Sequence, residues 1–157
     1  MIERTWFNRF QRWIAYYQIA GALLGAYSVV QLIVAGSAKV AWLIPMTAFF
    51  AINALAGVLV LRGSPPAFVV TVLAQVPQLV DAKTSRFFYH LLSGASFGFR
   101  WQEGFVGFAS TVGGQFSMLW GDFSSTPTWH AINFVPILVL CAIFRARATD
   151  TRRAGAA

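Results

Sequence analysis

Two long apolar runs, four residues apart, constrain this chain more than anything else in it. Residues 13–35 read WIAYYQIAGALLGAYSVVQLIVA and residues 40–61 read VAWLIPMTAFFAINALAGVLVL, with Gly36, Ser37, Ala38 and Lys39 between them. At 1.5 Å per residue, either run as a helix covers the ~30 Å of a bilayer's hydrocarbon core. A connection this short makes the pair an antiparallel hairpin. Composition agrees: the chain is 57% hydrophobic and 11% charged, where a soluble domain is about 25% charged.

Two more apolar stretches follow, at about 66–82 and 128–144. Ser64 before Pro65, and Thr126 before Pro127, are the capping and first-turn residues that start helices. The expected fold is therefore membrane α-helical and a single domain of 157 residues. It has four transmembrane helices, about 13–35, 40–61, 66–82 and 128–144, with a small β-rich extracytoplasmic insert, residues 81–128, between the third and fourth. The third span is the least regular, because Gln75, Pro77 and Gln78 make its outer half polar and kinked.

Within the insert the hydrophobic period changes to two. Ala95, Phe97, Phe99 and Trp101 alternate with Ser96, Gly98, Arg100 and Gln102, and Phe116, Met118 and Trp120 alternate with Ser117 and Leu119. Period two indicates strands, expected near 88–93, 95–101, 105–112 and 115–120. Turns fall at residues 102–104 and at Gly113-Gly114. The alternative is a re-entrant or helical passage of residues 105–119 into the bilayer. A sheet of short strands cannot bury both faces, so Phe97, Phe99, Trp101, Phe116 and Trp120 are the expected partner surface.

The charges set orientation. Arg4, Arg9, Arg12, Arg62, Arg145, Arg147, Arg152 and Arg153 would share one side with Glu3 and Asp150. Lys39, Lys83, Arg86 and Arg100 would share the other with Asp81, Glu103 and Asp122. The positive-inside rule then places both termini in the cytoplasm of a multi-pass inner (plasma) membrane protein. Basic residues that flank apolar spans are accounted for by topology, so the +7 charge does not call for nucleic acid.

Contacts between elements are expected at Gly21 and Gly25, a GxxxG strip where a helix can approach closely. Asn53 needs a polar partner at membrane depth. Gln75 and Gln78, in the polar outer half of the third span, are expected to face protein or water rather than lipid. All three are expected at helix or oligomer contacts. Gln18 and Gln31 lie near the ends of the first span, where water or headgroups can satisfy them. Cys141 is the single cysteine, so no intrachain disulfide forms. His90 and His130 are far apart in sequence and no metal-ligand spacing occurs. Asp81, His90, Glu103, Asp122, His130 and Ser124 fit no catalytic motif. No cofactor, metal or catalytic residue is expected. The function expected is a homo-oligomeric pore or envelope sensor, with the bilayer and further copies of the chain as partners. The alternatives are a non-catalytic accessory subunit docked on another membrane protein, and an enzyme at the outer interface.

Overall fold

The computed structural model describes residues 2–36 and 40–154; Ser37, Ala38 and Lys39 lie outside the described residues, so the turn and charge expected there do too. Helix α1 runs Ile2–Val34 and helix α2 runs Val40–Leu61. Ala-, Leu- and Ile-rich sequence favours both, and Pro45 lies inside α2, one residue past the first turn, where it removes the donor to the Ala41 carbonyl. Segments Phe10–Val34 and Ala41–Leu61 are long and apolar enough to cross a membrane, and only 28% and 33% of their most apolar windows are buried inside the protein. That low burial separates them from the core helices of a soluble domain.

The rest of the chain departs from a four-helix bundle. Helix α3, Ala67–Gln75, has nine residues, about 14 Å. A single 3₁₀ turn, Val76–Gln78, follows where Pro77 removes a helical donor, and the chain then extends as strand β1, Val80–Lys83. Strands β2, Phe87–Gln102, and β3, Phe105–Trp120, form one long hairpin. Strand β4, Trp129–Asn133, precedes helix α4, Phe134–Ala154. Only the first part of α4 is apolar, because Arg145 and Arg147 follow Phe144. The expected four transmembrane helices are thus corrected to two candidate spans and an antiparallel four-stranded sheet. The expected third span is helix only as far as Gln75 and ends in a 3₁₀ turn and the start of β1, and the expected fourth begins as a strand. Short apolar runs with β-branched residues suit either state, and Pro77 with the pairing of β1 and β4 decides for strand.

The hairpin register is continuous from Phe87↔Trp120 to Gln102↔Phe105. Its turn is Glu103-Gly104, with φ of 47° and 82°, the left-handed pair of a two-residue hairpin turn. The turn expected at Gly113-Gly114 is not one; the strand passes through it. Sheet order is β1-β4-β2-β3, with β1 also paired to β2. β1 is antiparallel to β2 at Tyr89 and Phe88, β4 is antiparallel to β2 at residues 98–102, and β1 is antiparallel to β4. These three relations require β2 to reverse direction between Tyr89 and Gly98. The ribbon therefore folds back on itself, and Gly94, at φ 110° and paired with Gly113, lies within the bend.

There are two apolar cores, one among the helices and one that holds the ribbon to them. Ile14 and Ala15 of α1, Val60 of α2, and Val139 and Ile143 of α4 form one, with Phe68 against it. Met46, Phe49 and Phe50 of α2 and Leu91 of β2 form the other, with Val29 and Phe116 against it. The segment 81–128 is therefore not an insert beyond the helix ends, because its strands pack along α1 and α2.

Candidate functional site

A layer of fully buried, uncharged polar side chains joins these elements. Gln18 of α1, Asn53 of α2, Thr71 and Gln75 of α3, Gln78 of the 3₁₀ turn and Ser93 of β2 are all inaccessible to solvent. Asn53 Nδ2 donates to Phe49 O one turn earlier, at 3.0 Å. Its Oδ1 accepts from Gln78 Nε2 at 3.2 Å and, at the limit of hydrogen-bond distance, from Gln75 Nε2 at 3.5 Å. Gln78 also donates to Ala74 O at 2.8 Å and accepts the Ser93 N–H at 2.7 Å. One glutamine thereby ties the end of α3, the middle of α2 and the bend of the ribbon. The three amides expected at contacts meet one another within this chain.

Gln18 corrects the sequence reading, since it is buried rather than solvated. It lies against α2 where Gly57 leaves room, with its Cβ 3.3 Å from where a Gly57 Cβ would stand. Neither side-chain polar atom of Gln18 is hydrogen-bonded, and Thr71 Oγ1, Gln75 Oε1 and Ser93 Oγ also lack partners. Ser93, Thr71 and Gln18 were not legible as members of this layer; each is a single polar residue in an apolar stretch. The layer offers donors and acceptors but no titratable group, so it can organise water or a neutral polar solute and cannot move protons by acid–base chemistry.

Gly21 and Gly25 face the ribbon and α2. A Cβ on Gly21 would sit 2.5 Å from the backbone carbonyl of Ser93, and one on Gly25 would enter the Phe50 ring. A Cβ on Gly114 would meet the backbone of Gly25. The helix thus crosses the folded ribbon at glycines on both sides. Tyr17 anchors the same crossing, its hydroxyl donating to Ala95 O at 3.0 Å.

The ribbon has two unlike faces. One carries Leu91, Ser93, Ala95, Phe97, Phe99 and Trp101, with Phe116, Val112, Phe108 and Val106 opposite them. Beyond the α1 crossing this face is open: Phe108 is 70% and Val112 76% exposed. Among the expected partner residues, Phe97 is half exposed and packs on Phe108 and Phe134, Phe99 joins that cluster, and Trp101 is 6.4 Å from Phe99. Phe116 instead packs on Phe49 in the second core, and Trp120 packs at a tilt on Phe87 at the far end. The structure therefore splits the set and does not gather it into one surface.

The other face is more polar. Asp81 Oδ1 lies 3.0 Å from His90 Nδ1, with both side chains largely buried. Ser117 is the cross-strand neighbour of His90, and no hydrogen bond joins their side chains among the described residues. Burial, and secondarily the Asp81 charge, raises the Tyr89 hydroxyl above its ordinary range. Arg100 lies over the Trp129 ring at 4.4 Å. Asp122 and Ser124 belong to an exposed loop, where hydrogen bonds from Ser124 hold the Asp122 carboxyl below its ordinary range. Their loop, with Arg86 and Trp120, borders a shallow cleft of about 690 Å³. Among the described residues no group of three or more His, Cys, Asp or Glu is placed to hold a metal ion.

The architecture is thus a helical hairpin laid across a folded antiparallel ribbon. Comparison of the chain with protein families, curated proteins and solved structures finds no match.

Proposed function

We propose that the protein is a non-catalytic integral protein of the cell (plasma) membrane that assembles from several copies around a polar path, as a pore. One observation carries this reading: the polarity of the fold is inside out. Gln18, Asn53, Thr71, Gln75, Gln78 and Ser93 are fully buried, while Val34, Phe105, Phe108 and Val112 are each at least 70% exposed. Water would penalise that exterior, and lipid would not. Helices α1 and α2 supply the crossing elements, and the half-buried polar face of the ribbon supplies a wall that lipid disfavours.

The orientation proposed is both termini in the cytoplasm. The N-terminal part of α1 and α4 share the first core, beside Arg62 at the end of α2. Arg147 lies over the Phe68 ring at that same end. The arginine-rich segments therefore gather on one side, as the positive-inside rule requires.

The test is ion flux through liposomes reconstituted with the purified full chain. Dye release or ion leak that scales with protein density is the expected result. Liposomes that stay ion-tight at every protein density would remove the pore and leave a docked accessory subunit as the reading to pursue.

A further inference from the structure

We propose that residues 105–112 of β3 are the contact between copies, pairing edge to edge and antiparallel with the same residues of a second copy; this rests on the self-association proposed above. β3 is the outermost strand, with β2 its single strand neighbour among the described residues. Every second residue of an antiparallel strand turns its N–H and C=O away from its partner. Among the described residues, the outward groups of β3 make no hydrogen bond within the chain. Such an edge is a template for another strand.

The devices that protect edges are missing here. Phe105–Trp120 contains no proline and no charged residue, and its register with β2 runs without a bulge. Lipid makes the demand stricter, because hydrocarbon offers nothing to an unpaired N–H or C=O, and open sheet edges do not persist in it. The side chains along this arm are suited to lipid, with Phe105, Phe108 and Val112 among the most exposed in the protein.

A second copy is the occupant that the sequence favours. Two identical uncharged strands can face each other about a two-fold axis with no like-charge pair opposed. Centring that axis on Ala109 sets Phe108 beside Ser110 and Val106 beside Val112, so the largest ring meets a small side chain and the two valines pair with each other. The other arm of β3 is less free, because Gly114 lies against Gly25 and Phe116 against Phe49. The free arm therefore marks the interface.

The experiment uses full-length chain in native membranes with Cys141→Ser and single cysteines along the strand. Residues directly opposed on antiparallel strands are close enough for a disulfide. Mild oxidation should join Ala109→Cys chains into dimers and leave Gln115→Cys chains single. Ser110→Lys, which puts a charge on the edge without touching either core, should lower the dimer fraction about tenfold while circular dichroism stays unchanged. Oligomers of native mass with no cross-link anywhere in residues 105–112 would overturn the edge and leave self-association standing. Monomers of wild-type chain would overturn both. A cysteine at position 109 that joins a different protein instead would overturn the choice of a second copy.

Discussion

The side-chain oxygen of Gln78 accepts the backbone N–H of Ser93 at 2.7 Å, fifteen residues away and within the bend of the ribbon. The same side chain donates to Asn53 in α2. A helix end, a crossing helix and a strand reversal thus depend on one amide. Replacing it with leucine leaves the Ser93 donor buried and unpaired, and Asn53 loses its better partner.

Gln78→Leu is therefore expected to destabilise the protein by about 2 kcal/mol, because the buried Ser93 N–H is left unpaired and Asn53 keeps only the longer bond from Gln75. Denaturant titration in detergent micelles measures this. A stability equal to wild type would show that the amide layer is not what holds the bend.

The two glycines of α1 should respond differently. At Gly21 an added methyl meets the Ser93 backbone, which cannot step aside; at Gly25 it meets the Phe50 ring, which can be changed. Gly21→Ala should cost about 2 kcal/mol or more, as overpacking does. Gly25→Ala should be partly rescued by Phe50→Leu, with a coupling of about 1 kcal/mol. Additive effects of Gly25→Ala and Phe50→Leu would contradict the contact.

How much of this could be read in the sequence depends on the element. The α1–α2 hairpin was legible, because twenty or more apolar residues in a row leave few alternatives. Period-two alternation located the strands of the hairpin, and Glu103-Gly104 located its turn. Residues 66–82 and 128–144 misled because a short apolar run has no periodicity that separates helix from strand. Pairing between β1 and β4, distant in sequence, settles their state. The bend was read as a turn because Gly113-Gly114 serves both. Asn53, Gln75 and Gln78 were legible as contact residues, since amides do not face lipid comfortably. That Gln18, Thr71 and Ser93 share their layer follows only from how the elements cross.

Tyr89 gives a test by pH. Burial first, then the Asp81 charge, raises its hydroxyl above the ordinary 10.0. A raised pKa stabilises the fold fully below pH 10 and progressively less as pH rises through the folded value. Tyrosinate absorbance, taken as the difference from Tyr89→Phe, should show late ionisation. Asp81→Asn should bring it only part of the way back, because burial is the larger cause. An Asp81→Asn titration equal to wild type would contradict the packing of β1 beside β2.

The central claim is that this inside-out fold lives in lipid as an assembly of identical chains. The most direct test is the mass of the protein released from lipid nanodiscs, measured by native mass spectrometry at several ratios of protein to lipid. The account predicts a fixed multiple of the 17.3 kDa chain that persists as the ratio falls. A single chain at every ratio would contradict it.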